Sequence, residues 1–302
     1  MGMPQRVRIV EVGPRDGLQN EPAPVTPAVR IQLIERLADA GLTCIEAGAF
    51  VSPARVPQMA DSGEVLKRLR RRTGVSYPVL VPNEQGLAAA LAAGAERIAL
   101  FAAASESFSH RNIHCGIADA LDRYQTVAQR ARRAGLRLRG YVSCALGCPY
   151  EGAIRPAAVA EVARRLYRIG CDEVSLGDTL GIGTPRALLA VLERVAMDIP
   201  IERIAVHCHD TYGQALANIY AALQAGVAVI DSSVAGLGGC PYAKGATGNV
   251  ATEEVVYLLH GLGIETGVSL VDVARAGRFI SAALGREPNS RVNRALLARG
   301  DQ

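Results

Sequence analysis

This chain has no tryptophan, and aromatic residues make up only 4% of its 302 positions. With 49% hydrophobic and 21% charged residues it is nevertheless globular. It is long enough for one α/β barrel of roughly 250 residues or for two ordinary domains. It also lacks a block of like charge. The formal net charge of +4 is spread over mixed Arg–Glu segments, which builds no duplex footprint, so no nucleic-acid partner is expected. So modest a positive balance still suits an anionic small substrate. Even pairing of cysteines is missing too: there are seven, scattered over a chain too large to need disulfide staples, which points to a reducing compartment. No apolar run is long enough to span a bilayer. Met1 to Arg6 lead into the first apolar strand without a signal-peptide core, Arg6 breaks the myristoylation pattern, and Arg299-Gly300-Asp301-Gln302 is no peroxisomal address. The expectation is a cytoplasmic protein with no membrane partner.

What is present is a rhythm. Short β-branched runs alternate with segments of helical period: Arg8–Val12 then Ile31–Ala40, Thr43–Ala47 then Gly63–Arg71, Pro78–Val81 then Glu84–Ala93, and Arg97–Phe101 then Ala118–Ala134. The pattern continues with Leu138–Ser143 and Ala157–Ile169, Glu173–Leu176 and Arg186–Ala196, Ile204–His207 and Gly213–Ala225, and Val227–Val234 and Thr252–Leu262. Eight βα units with Ala-Gly breaks before several strands and no linker predict a closed (β/α)₈ TIM barrel, one catalytic domain over 1–302. A further amphipathic segment, Leu270–Leu284, predicts a C-terminal helical extension over 269–302 across one barrel end, its last several residues frayed.

In such a barrel chemistry sits at the carboxyl ends of the strands. The seventh strand ends Ala205-Val206-His207-Cys208-His209-Asp210. Strand alternation sends His207 and His209 to the same side, where they either share a metal or hydrogen-bond as a core pair. The first strand ends Gly13-Pro14-Arg15-Asp16-Gly17, leaving Arg15 and Asp16 on a turn over the mouth, with Asp16 a hard oxygen ligand. After the eighth strand a loop with five glycines between Gly236 and Gly248 carries Cys240 and ends at Asn249. Asn249 supplies an amide oxygen or an N-cap, and Cys240 is a proton donor or base, or an idle small residue. One carboxylate, one amide and two imidazoles suit Mg²⁺ or Mn²⁺ better than a structural zinc, with catalytic zinc still open.

Glu46 lies inside the second strand, where a carboxylate needs a partner, and Arg15 is the natural one. The pair is either a fixed cation facing a developing enolate or a plain internal salt bridge. Asp178 ends strand six as a mouth carboxylate or a turn residue. The Lys67–Arg72 run either meets the phosphates of a large anion or is a solvated face, and Cys144 and Cys148 read as core or turn residues rather than a zinc ribbon.

With these residues assembled, the chain resembles the 3-hydroxy-3-methylglutaryl-CoA lyases, a metallolyase group with an Asp–Arg–Glu set on an α/β barrel. The resemblance covers nearly the whole chain and rests on Val10–Glu21, Gly140–Tyr150, His207–Gln214 and the loop Ser233–Asn249. It implies Asp16, His207, His209 and Asn249 as ligands of Mg²⁺ or Mn²⁺, Arg15 as stabiliser of a thioester enolate, and Glu46 as its holder. It further implies Asp178 and Cys240 at the substrate, Cys240 and His207 in proton transfer, and an acyl-CoA split into acetyl-CoA and acetoacetate, as in leucine degradation. A homo-oligomer, a dimer, is expected. Three departures stand out: Ala49, where the family more often has a hydroxyl residue, Arg55 in place of an aromatic, and Glu84-Gln85. A related aldolase or condensing acyltransferase is disfavoured by the Gly236–Asn249 loop, and a catalytically dead barrel by the retention of all four ligand positions.

Overall fold

The computed structural model describes residues 2–22, 24–239 and 248–299. Cys240 lies outside the described residues. The eight strands are β1 (Arg8–Glu11), β2 (Gly48–Ala49), β3 (Val79–Leu80), β4 (Arg97–Ala103), β5 (Arg137–Ser143), β6 (Glu173–Asp178), β7 (Ile204–Cys208) and β8 (Val229–Ser232). All their pairings are parallel, in the order β1-β8-β7-β6-β5-β4-β3-β2. Two hydrogen bonds close the ring between its first and last members. Glu11 N donates to Cys44 O and Glu46 N to Glu11 O, each at 2.9 Å. The result is the (β/α)₈ barrel that the rhythm predicts.

The second strand differs from the expectation. Ladder pairing there is confined to Gly48–Ala49, and Cys44 and Ile45 make only isolated bridges. Its neighbour β3 is as short, so a long ladder has nothing to pair with, and Glu46 sits between bridge and strand.

The helices are α1 (Pro27–Asp39), α2 (Ser62–Arg68), α3 (Glu84–Ala92), α4 (Glu106–Ile113), α5 (Ile117–Arg133), α6 (Pro156–Arg168), α7 (Pro185–Ala196), α8 (Ala215–Gln224), α9 (Thr252–Gly261), α10 (Leu270–Ala283) and α11 (Arg291–Ala298). One, α4, is not anticipated by the sequence pattern. The pattern of α4 is too short and polar to show as an amphipathic period; it is set by its ends, with Ser105 Oγ accepting from Phe108 N and His114 closing it at φ 57°. The segment 269–302 contains α11 after α10; Ser290 caps α11 through Asn293 N and Asn293 is fully buried, and residues 300–302 lie outside the described residues. One of the Ala-Gly breaks shows why glycine is needed. Gly41 has φ +98°, and a Cβ there would lie 2.1 Å from Gly267 O.

A continuous aliphatic core fills the space between barrel and helices. The barrel interior is different. It holds a small apolar cluster of Val10, Val12, Cys44, Ala205 and Val229, alongside a buried charged group. Arg139 of β5 donates to Asp231 of β8 through Nη2 at 2.6 Å and Nη1 at 3.1 Å, and through Nε to Glu173 at 2.7 Å. Burial opposes charge on both partners, but each holds the other ionised: Asp231 is held far below the usual carboxylate range and Arg139 well above its ordinary value. Removing one partner strands the other. Arg139→Ala is expected to cost roughly 3–5 kcal/mol of unfolding free energy, measured by urea titration; a loss under ~1 kcal/mol would mean that water replaces the guanidinium.

Candidate active site

Strand ends bring the predicted residues together. The chain leaves β1 through a single π-type turn, Gly13–Gly17, with Pro14 at its start; such turns favour functional positions. Two close approaches make glycine necessary there: a Cβ on Gly13 would lie 2.6 Å from Glu11 Oε1, and one on Gly17 2.7 Å from Leu237 Cβ. The turn aims Arg15 and Asp16 at the mouth. Arg15 donates through Nε at 2.7 Å and Nη2 at 2.6 Å to Glu46 Oε2, and through Nη1 at 2.7 Å to Asp16 Oδ1. Glu46 is fully buried, and its other oxygen accepts from Tyr141 OH at 2.8 Å. The Arg15 guanidinium also lies 5.6 Å from the Tyr141 ring centroid. Burial works against charge on Arg15, but Glu46 and then Asp16 outweigh it and hold the group above its ordinary value.

His207 and His209 project from the end of β7 to the same side, their ring centroids 5.3 Å apart. Ligand atoms of Asp16, His207 and His209 all lie within 4.8 Å of one another. His207 Nδ1 sits 3.3 Å from Asp231 Oδ2, a contact that fixes the Nδ1–H tautomer and leaves Nε2 with its lone pair free. Burial disfavours a charged His207, yet its bond to Asp231 outweighs this and raises its pKa. At His209 burial, seconded by His207, pushes the pKa down to about 3, so the ring is neutral. Among the described residues its Nδ1 is buried without a hydrogen-bond partner. Burial opposes ionisation of Asp16, but Arg15 and the two imidazoles bring it down to about 2. Asn249 is bridged to His209 and is not the cap of α9, which is Ala251. Its Nδ2 donates to Asp16 Oδ2 at 2.9 Å and Leu237 O at 3.2 Å, so Oδ1 is the atom left for a cation. An anionic carboxylate, two ring nitrogens and an amide oxygen, one nitrogen being a buried orphan among the described residues, fit a divalent metal with mixed N/O preference.

Asp178 is placed differently. Its oxygens accept from Ile182 N at 3.2 Å and Gly183 N at 2.9 Å, so of its two readings the turn residue describes its contacts, while Gly177 and Thr179 on either side line the cleft. The Lys67–Arg72 run does not reach the cleft: Arg68 pairs with Glu64, Arg71 with Glu96 and Arg72 with Asp39 on the outer surface. Glu84 pairs with Arg130 there too. Cys144 and Cys148 pack with Ala103 and Phe108.

Sequence reasoning missed Tyr141 and Asp231. Asp231 is detectable by the argument applied to Glu46, since it is a carboxylate inside the apolar strand Val-Ile-Asp-Ser; no such signal marks Tyr141. The mouth opens into a cleft of ≈ 1040 Å³ whose walls include Leu80, Phe101, Phe108 and Ile113 and whose lining includes Arg55 and Arg123.

Residues 6–280 match the HMGL-like protein family. The chain belongs to that family. Among HMGL-like relatives it is 59% identical to "Hydroxymethylglutaryl-CoA lyase, mitochondrial" of Bos taurus, over 97% of this chain and 90% of the relative. It is 58% identical to the "3-hydroxy-3-isohexenylglutaryl-CoA/hydroxy-methylglutaryl-CoA lyase" of Pseudomonas aeruginosa, over 99% of this chain and all of that one. A crystal structure of hydroxymethylglutaryl-CoA lyase from P. aeruginosa superposes with a TM-score of 0.97 at 58% identity, covering 99% and 100% of the two chains. A lyase from Acinetobacter baumannii, solved with coenzyme A and 3-methylmalate, does so at 0.92 with 32% identity, covering 96% and 95%.

The Asp231 contact yields a prediction. Asp231→Asn keeps a partner for His207 but weakens its orientation, so Mn²⁺ affinity should fall roughly 10–100-fold, read by electron paramagnetic resonance on protein whose circular dichroism is unchanged. Equal affinity would make Asp231 a partner of Arg139 only.

Proposed function

We propose that this chain is a divalent-metal-dependent lyase that cleaves 3-hydroxy-3-methylglutaryl-CoA into acetyl-CoA and acetoacetate. The observation that carries the reading is the juxtaposition of the Asp16–His207–His209 cluster with the Arg15–Glu46–Tyr141 chain at one barrel mouth. Its support for this substrate is the 58% identity to the P. aeruginosa lyase over 99% of the chain. Asp16, His207, His209 and Asn249 would hold Mg²⁺ or Mn²⁺, which when bound supplies Lewis-acid polarisation of the substrate's tertiary hydroxyl and carboxylate.

The protein's own contribution starts at Arg15. Three of its five N–H groups are spent on Glu46 and Asp16, which locks the planar fork and leaves two for the thioester oxygen. As the carbon–carbon bond breaks, charge develops on that oxygen against a cation already in place, with no reorganisation to pay for. Tyr141 keeps the second oxygen of Glu46 occupied, so that carboxylate does not swing away. Proton transfer falls to His207 and to Cys240, and Asp178 shapes the rim through the turn it holds. Arg55 and Arg123 offer exposed cations for the phosphates of CoA. The setting we propose is cytoplasmic leucine degradation by a homodimer.

A second substrate reading has its own support. The cleft of ≈ 1040 Å³ has an apolar part of its wall in Leu80, Phe101, Phe108 and Ile113, the position before Phe50 is the small Ala49, and the P. aeruginosa relative is named for a 3-isohexenyl substrate as well. Release of acetyl-CoA from both CoA esters, compared as kcat/KM, decides whether the longer 3-substituent is accepted.

Chelation should abolish turnover and leave cooperative unfolding intact, with Mg²⁺ or Mn²⁺ restoring activity; full lyase activity after exhaustive chelation would remove the Lewis-acid role. Arg15→Lys keeps the charge but not the fork. It is expected to lower kcat by at least ~10²-fold with a smaller change in KM, whereas a change in KM alone would recast Arg15 as a binding group. Cys240→Ala should slow turnover severely while Mn²⁺ affinity stays near that of the parent, and loss of metal binding would make the thiol a ligand.

A further inference from the structure

The residues after β8 that carry Asn249 toward Asp16 begin with a conformation that L side chains avoid. Ala235 has φ +56° and ψ +12° and is fully buried. Gly236 and Gly238 follow with φ +62° and +100°, but glycine adopts such values freely and alanine does not. A strained residue of this kind persists only where its surroundings over-determine it. The surroundings here come from the helix of the eighth unit and from the C-terminal helices beyond it. Both oxygens of Glu253, in α9, accept from Ala235 N, at 3.1 and 2.9 Å. Asn293, in α11, donates from Nδ2 to Glu253 Oε1 at 2.9 Å and to Ala274 O of α10 at 2.9 Å. Asn289, on the connection between α10 and α11, donates its backbone N–H to Ala235 O at 3.0 Å. Glu253 and Asn293 are both fully buried. A mid-helix glycine makes the arrangement possible: a Cβ on Gly277 of α10 would lie 2.5 Å from Glu253 Oε1 and 2.6 Å from Asn293 Nδ2.

The turn so held supports two of the residues read as metal ligands. Leu237 O accepts from Asn249 Nδ2. Glu11 Oε1 ties Val234 N to Gly13 N, both at 2.9 Å or less, and Gly17 fits against Leu237 and Ser233. The strand-one turn bearing Arg15 and Asp16 and the segment bearing Asn249 therefore rest on one short stretch, residues 233–237.

We infer that Asn293, acting through Glu253 on Ala235, is a positioning residue by which the C-terminal helices set Asn249 and Asp16 at the mouth. The inference rests on the metal-site reading for its functional consequence and on geometry alone for the clamp. Without the Asn293 amide the Glu253 carboxylate loses its tether to α10 and α11, and Ala235 relaxes toward a right-handed or extended backbone, displacing Leu237 and with it Asn249.

The test uses the full chain. Asn293→Ala should raise amide hydrogen exchange at residues 234–237 in metal-free protein, weaken Mn²⁺ affinity roughly tenfold, and lower kcat with little change in KM. Adding Ala235→Gly to that variant should restore most of the Mn²⁺ affinity, because glycine keeps the left-handed turn without a clamp. A purely structural role for Asn293 predicts no such rescue. If Asn293→Ala does not fold, Gly277→Ala disturbs the same carboxylate from its opposite side and should give the same exchange and affinity changes. Unchanged exchange at 234–237, or no rescue by Ala235→Gly, would overturn the inference. A parent chain that takes up no Mn²⁺, with exchange at 234–237 still raised in Asn293→Ala, would instead overturn the metal reading and uphold the clamp.

Discussion

The contact between Arg139 and Asp231 crosses the inside of the barrel from β5 to β8, and most of the site's geometry follows from it. A carboxylate buried in the barrel is sustainable only beside a cation, and Arg139 supplies one with a planar two-pronged match. Once ionised, Asp231 has oxygens to spare for Ser175 Oγ at 2.8 Å and for His207 Nδ1. The imidazole is thereby set in one tautomer, in a cluster with Asp16 and His209. Arg139 also reaches Tyr141 OH, and Tyr141 in turn reaches Glu46, which holds Arg15. The floor of the barrel and the cation at its mouth thus belong to one connected polar assembly. Such an assembly polarises itself and tolerates little partial occupancy, which makes its members costly to change singly.

Much of the fold was legible because the barrel is made of eight similar statements. Apolar strand, turn, amphipathic helix is a message repeated often enough that an error in one unit does not spoil the reading, as β2 shows. There the β-branched run Thr43–Ala47 reads as a strand, but a barrel wall is decided by what the neighbour offers, and β3 pairs only over Val79–Leu80. The helix α4 was invisible for another reason. Its stability lies in Ser105, His114 and the packing of Phe108 rather than in a periodic stripe.

The site was legible where residue type and strand position coincide. His207 and His209 share a face by alternation, Arg15 and Asp16 follow the end of β1, and Glu46 is a carboxylate in an apolar run. Alternation does not say which ring nitrogen of His207 is engaged, nor by what. Asp231 decides that, and it lies 24 residues away in sequence. Asp178 illustrates the converse: a carboxylate at a strand end that is occupied by its own turn. Only the backbone path of residues 181–183 distinguishes the two uses.

The closure of the barrel gives the Arg15–Glu46 pair a second meaning. Between β1 and β2 the wall is joined by an isolated bridge and two backbone hydrogen bonds, whereas β4 and β5 pair in register over seven residues. Arg15 follows the first of those strands and Glu46 precedes the second, so their ion pair stitches the ring at its thinnest seam. A barrel is free of open edges only while every seam holds. In this protein the group that would meet the substrate is also a rivet of the wall, and any lineage that retunes the chemistry at Arg15 must at the same time find another way to keep the cylinder shut.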